Sequence, residues 1–99
     1  MTIRLESHAL VFPNGAKVAV GGLAIRLVHV FLERPYTIIR RDELMNRVWP
    51  GEPHDRRRKH SLDQAISHLN LVARDVGMLS LITHAHGIGH SWTPTEDDE

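Results

Sequence analysis

At 99 residues, 41% hydrophobic but only 5% aromatic, the chain is sized for one small domain around a largely aliphatic core. It has no cysteine, which excludes disulfides, zinc–thiolate centres and cysteine nucleophiles. Its formal net charge of zero counts against nucleic acid as a partner unless the charge is unevenly placed.

The placement is uneven. Arg56, Arg57, Arg58 and Lys59 form a run of cations, while Glu96, Asp97, Asp98 and Glu99 gather acid at the end of the chain. Residues 1–12 lack a basic start followed by a long apolar run, and no apolar stretch reaches the length of a bilayer span. A soluble, cytoplasmic protein with no membrane partner is expected.

His8–Phe12 and Lys17–Val20 are short apolar segments flanking Pro13-Asn14-Gly15, and Asn-Gly suits a tight turn, so a short N-terminal β-hairpin is predicted. Leu23–Glu33 places Ile25, Val28, Phe31 and Leu32 on a helical stripe, and Pro35 ends that helix. Tyr36–Arg40 reads as an extended link. Arg41–Trp49 reads as a second helix, with Asp42 and Glu43 favoured in its first turn by the helix dipole. Leu44, Met45, Val48 and Trp49 are its apolar residues, and Pro50-Gly51-Glu52-Pro53 stops it.

A third helix begins between Asp55 and Ser61, because both Asp55 and the Ser61–Gln64 capping box offer a start. It ends near Val76, with Gly77 as cap. Leu62, Ile66, Leu69 and Ala73 share one face. Arg58, Lys59, His60, Ser61, Gln64, His68 and Leu71 fall elsewhere on the wheel. A packed back, a polar front and cations at the start suit a helix that reads the DNA major groove. An ordinary surface helix with a solvated face accounts for the same pattern. Leu79–Trp92 reads as a β-hairpin with Gly87-Ile88-Gly89 at its tip, and residues 95–99 as a disordered acidic tail to a single domain over 1–94.

Three helices followed by a glycine-tipped hairpin is the order of a winged helix, and particular runs carry the likeness further. RDELMNRVW at 41–49 resembles the "REELLxxVW" run of the OmpR/PhoB-type response-regulator output domain. SLDQAISHL at 61–69 is similar to that family's "TVDxHISRLR" recognition helix, and LITHAHGIGHSW at 81–92 to its "IxTVRGxGYxL" wing. The resemblance covers roughly Leu23 to Trp92 in one register. It implies an α+β winged helix-turn-helix that binds duplex DNA sequence-specifically to regulate transcription. The recognition helix, about 58–76, would enter the major groove, and the wing, 82–92, would reach a minor groove.

By position, Ser61 matches the family's phosphate-contacting threonine, Gln64, Ala65 and His68 its groove-facing positions, Trp49 its backbone-supporting tryptophan and His86 its wing arginine. Several family cations are replaced: His60, His68, Asn70 and His86 stand where arginine is usual, and His90 where tyrosine is. Arg56, Arg57, Arg58 and Lys59 add charge just before the helix, as a candidate phosphate clamp. Gln64 is the candidate base reader, since its amide can pair bidentately with adenine; a solvent-facing glutamine is the plainer account.

The same departures fit a winged helix that has lost DNA binding and meets a protein instead, such as another regulator or RNA polymerase. Homodimerisation on paired half-sites is a further expectation. His84, His86 and His90 invite two ideas, a metal site and pH-dependent DNA affinity, and the first is poorly supported by the donor set. No cofactor is expected, and no catalytic constellation appears, so the chain is not read as an enzyme.

Overall fold

In the computed structural model, which describes residues 3–96, the elements run β1 (Arg4–Glu6), β2 (Ala9–Val11), β3 (Lys17–Ala19), α1 (Gly22–Glu33), β4 (Ile39–Arg40), α2 (Arg41–Val48), α3 (Arg56–Asp75), β5 (Met78–Ala85) and β6 (Gly89–Glu96). The strands form two antiparallel sheets, ordered β1-β2-β3 and β4-β6-β5, with α1 between the sheets in sequence and α2 and α3 between β4 and β5. This is an α+β winged helix.

The Asn14-Gly15 turn forms as expected: Gly15 takes φ +91° and the Asn14 side chain accepts from the Ala16 amide at 3.0 Å. The Asn14 amide also donates to the Val76 carbonyl at 3.1 Å, tying this turn to the end of α3. The hairpin is larger than predicted, because Arg4–Glu6 pairs with Ala9–Val11 and makes it a three-stranded meander. Its apolar residues are too few to show alternation; they pair because Leu5 and Leu10 lie opposite one another.

Leu10, Leu27, Val28, Phe31, Ile39, Leu44, Met45, Leu62, Leu69 and Leu81 are almost wholly buried, and the rings of Phe31 and Trp92 stack at 6.2 Å. The face of α3 carrying Leu62, Ile66, Leu69 and Ala73 is inside as predicted. On α1 the stripe is displaced. Ala24, Leu27, Val28, Val30 and Phe31 are buried while Ile25 and Leu32 are only half-buried, because α1 meets α2, α3 and β6 together. Ion pairs of Arg34 with Glu43 and Arg47 with Glu33 fasten α1 to α2 along their exposed edges.

The link before α2 is partly strand. Ile39 and Arg40 pair with His90 and Gly89, and the Tyr36 amide donates to the Trp92 carbonyl at 3.0 Å. A side chain at residue 89 would collide with the Ile39 carbonyl, so β4 can close on β6 only over a glycine. β6 also runs to Glu96, two residues into the expected tail; residues 97–99 lie outside the described residues.

β5 carries a bulge near Ser80. The register slips there, and Leu81 and Ile82 are both buried while Leu79 stays half exposed. The two consecutive amides of Leu81 and Ile82 turn to a single acceptor, the Asn70 side-chain oxygen, each at 2.9 Å, and the Asn70 amide donates to the Ile82 carbonyl at 3.1 Å. Asn70 thus supplies what β6 cannot reach at the bulge and locks α3 to the strand that follows it. Truncating it strands two amides and a carbonyl. Asn70→Ala is expected to cost about 2–3 kcal/mol, or a melting-point drop on the order of 10–20 °C for a chain this short, measurable by thermal denaturation.

Candidate nucleic-acid interface

The start of α3 resolves the two capping options in favour of Asp55. Its carboxylate accepts from the Arg58 amide at 2.9 Å, and the helix begins at Arg56, which puts all four cations in the first turn. They are not equivalent. The Arg58 guanidinium lies 2.9 Å from Asp55 and 3.2 Å from Glu52, and reaches the Pro53 carbonyl at 3.4 Å. It is spent on the loop between α2 and α3. Arg56, Arg57 and Lys59 are exposed and have no ion-pair partner among the described residues.

A second arginine outside the predicted set organises this end. Arg41, the first residue of α2, sits 2.9 Å from Asp63 and donates to the Lys59 carbonyl at 3.2 Å, bracketing α2 to the first turns of α3. Asp63 therefore serves the fold. The chain offered no signal for Arg41, because the pairing spans 22 residues.

His60, Gln64, Ser67 and Leu71 are exposed and recur at helical spacing, so they form one ridge along the outer face of α3. His68 is exposed on one flank. Ser61 is half-buried there, beside the start of α1, where Gly21, Gly22, Leu23 and Ala24 join Ser61, Gln64, Ala65 and His68 around a 430 Å³ groove. Ala65 is buried, forming the floor of this groove rather than a reading position. The first amides of α1 have no side-chain cap, and residues 21–24 line the same groove. Trp49 caps α2, half-buried against the core, with its amide donating to the Met45 carbonyl at 2.9 Å.

In the wing, His86 is exposed in the turn between β5 and β6, close to an exposed Ile88. His84 lies against both other histidines, its ring 6.0 Å from His86 and 4.8 Å from His90. Among the described residues, no three potential ligands converge to hold a metal ion. His90 is buried beneath Arg41 and His84 in a 230 Å³ recess beside the wing turn. Its Nδ1 is 3.4 Å from the His84 Nδ1, and its Nε2 is buried without a partner. A proton on the His90 Nδ1 leaves only a bare lone pair at Nε2, a smaller penalty than an orphaned N–H.

Burial, then the neighbouring His84 and Arg41, hold the His90 imidazole below its ordinary value, with Asp63 pulling weakly the other way. A base whose pKa is depressed on folding binds more protons when unfolded. Its stabilising effect is full above the unfolded value of 6.5 and is lost as pH falls from there toward the lower folded value. The domain is accordingly expected to melt at a lower temperature at pH 5 than at pH 7.5. His90→Phe, which keeps a ring without a titrating nitrogen, should narrow that difference in paired melts.

No protein-family model matches the chain, and no curated protein matches its sequence. Solved structures do match in shape. The DNA-binding domain of the response regulator AdeR, in complex with an intercistronic region, superposes with a TM-score of 0.74 at 15% identity, covering 91% of this chain and 92% of that one. The DNA-binding domain of Escherichia coli CadC gives 0.71 at 23% identity over 87% and 78%. That of Bacillus subtilis CssR gives 0.70 at 13% identity over 93% and 100%. At the level of fold the resemblance to the OmpR/PhoB-type output domain holds: the chain has the winged helix of response-regulator DNA-binding domains. Among the described residues, no helix is long and apolar enough to cross a membrane.

Proposed function

We propose that the chain binds duplex DNA as a sequence-specific transcriptional regulator, laying the outer ridge of α3 in the major groove and the wing tip near a minor groove. The observation that carries this reading is the division of labour along α3. Unpaired cations stand at its first turn, hydrogen-bonding side chains without fixed charge follow, and the helix is braced from behind by α2 and β5. Phosphates take the charge and base edges take the polar groups. Arg56, Arg57 and Lys59 act as the phosphate clamp, and Arg58 positions the loop behind them. Ser61 and the open amides of α1 provide a neutral phosphate seat, Gln64 reads a base, His60 and His68 flank it, His86 contacts the duplex from the wing, and Trp49 supports the backbone contacts.

A protein-interaction role is favoured by one observation: no arginine or lysine occurs on α3 between Lys59 and Arg74. Salt separates the two readings. Retention on a randomised duplex pool at low salt should fall steeply as salt rises. Arg57→Ala should reduce the slope of log affinity against log salt by about one. Arg58→Ala should lower thermal stability with a smaller change in slope. Folded protein that retains no duplex at low salt would overturn the proposal and send the search to a protein partner.

A further inference from the structure

Leu71 stands out on the ridge of α3. It is 58% exposed, on the same line as His60, Gln64 and Ser67, and nothing in the fold covers it. Its setting is polar. Ser67, Asn70, Arg74 and Ser80 surround it in a shallow 370 Å³ depression, with Leu79 as the one apolar neighbour. Two leucines in a ring of polar side chains make too small a patch for a stable protein interface. They suit a small apolar group delivered among hydrogen-bonding ones.

The major groove presents one such group, the C5-methyl of thymine, and every other base-edge feature there is a donor or an acceptor. Resting on the proposed DNA-binding function, we infer that Leu71 is a specificity-determining residue that selects thymine by packing its methyls on that group. Seven residues separate it from Gln64 on one helix face. At about 1.5 Å per residue, that places Leu71 roughly 10 Å along the groove. The groove winds around the duplex, so each base pair occupies more of its length than the roughly 3.4 Å axial rise, and the chosen thymine lies some two steps from the base that Gln64 reads. The Asn70 lock on β5 fixes this part of α3 against the wing, so the spacing is rigid. The ridge as a whole then reads A·T-containing sequence, with the amide of Gln64 and the methyls of Leu71 as its two determinants.

The test uses deoxyuridine, which pairs as thymine does but lacks the methyl. A site is first selected with wild-type protein from a randomised duplex pool, and each thymine in it is then replaced singly. At one position the wild type should lose about fourfold in affinity, the return on burying one methyl-sized group. Leu71→Ala should be indifferent to that replacement while still responding to the base at the Gln64 position. That position is located by Gln64→Ala, and the two should be about two steps apart. Leu71 is exposed, so its truncation leaves the fold intact, and a thermal melt confirms this. If wild type and Leu71→Ala respond identically at every thymine while both retain duplex, the inference is overturned and the DNA-binding reading stands. If the wild type retains no duplex, both fall.

Discussion

The Asn70 side chain, set between the last third of α3 and the bulge in β5, is the contact on which the reading surface depends. Without it, two strand amides and a carbonyl would face one another across a gap, and the angle between helix and wing would be set by apolar contact alone. Apolar contact is non-directional; three hydrogen bonds from a planar amide are not. The sequence family resembled by this chain favours arginine here. Asparagine carries no charge here and is part of the frame. Arg41 does the same at the other end of the helix, using its charge on Asp63 and the Lys59 carbonyl. One helix is thus held at two points along its length, by α2 near its start and by the wing near its end.

Holding the helix in this way leaves a surface whose charge is concentrated at its margins. Arg56, Arg57 and Lys59 stand free at one end and Arg74 is exposed toward the other, with neutral or titratable side chains between them. The zero net charge of the chain conceals this, because acidic groups such as Glu52, Asp55 and Asp63 are engaged with the arginines that build the frame. A net-charge argument against nucleic acid fails for that reason: cations used structurally and cations left free are counted alike. The neutral middle of the ridge also shifts the burden of discrimination from guanidinium groups to amide, hydroxyl, imidazole and aliphatic contacts.

Much of this architecture was legible in the sequence. The periodic apolar positions of α3, the Asn14-Gly15 turn and the glycine-tipped wing each rest on local rules, and each forms in the structure. What escaped was non-local. β1 and β4 are two or three residues long and exist only because a partner strand lies beside them. The bulge in β5 depends on an asparagine in a preceding helix, and no pattern within the strand announces it. Ala65 was placed at the groove by position alone, although burial belongs to the packing of the neighbouring helix. Of the four-cation run, composition could not distinguish Arg58, whose partners Glu52 and Asp55 lie in a loop whose path is set by proline and by Gly51 at φ +77°.

Backbone amide shifts of the isotopically labelled protein, recorded by NMR during titration with short duplex DNA at low salt, test the central claim most directly. The account predicts changes concentrated at residues 56–71 of α3, the start of α1 at 21–24 and the wing turn at 86–88, all reversed by added salt. Changes confined elsewhere, around β1–β3 or Tyr36 and Ile38, or none at all with the protein folded, would contradict it.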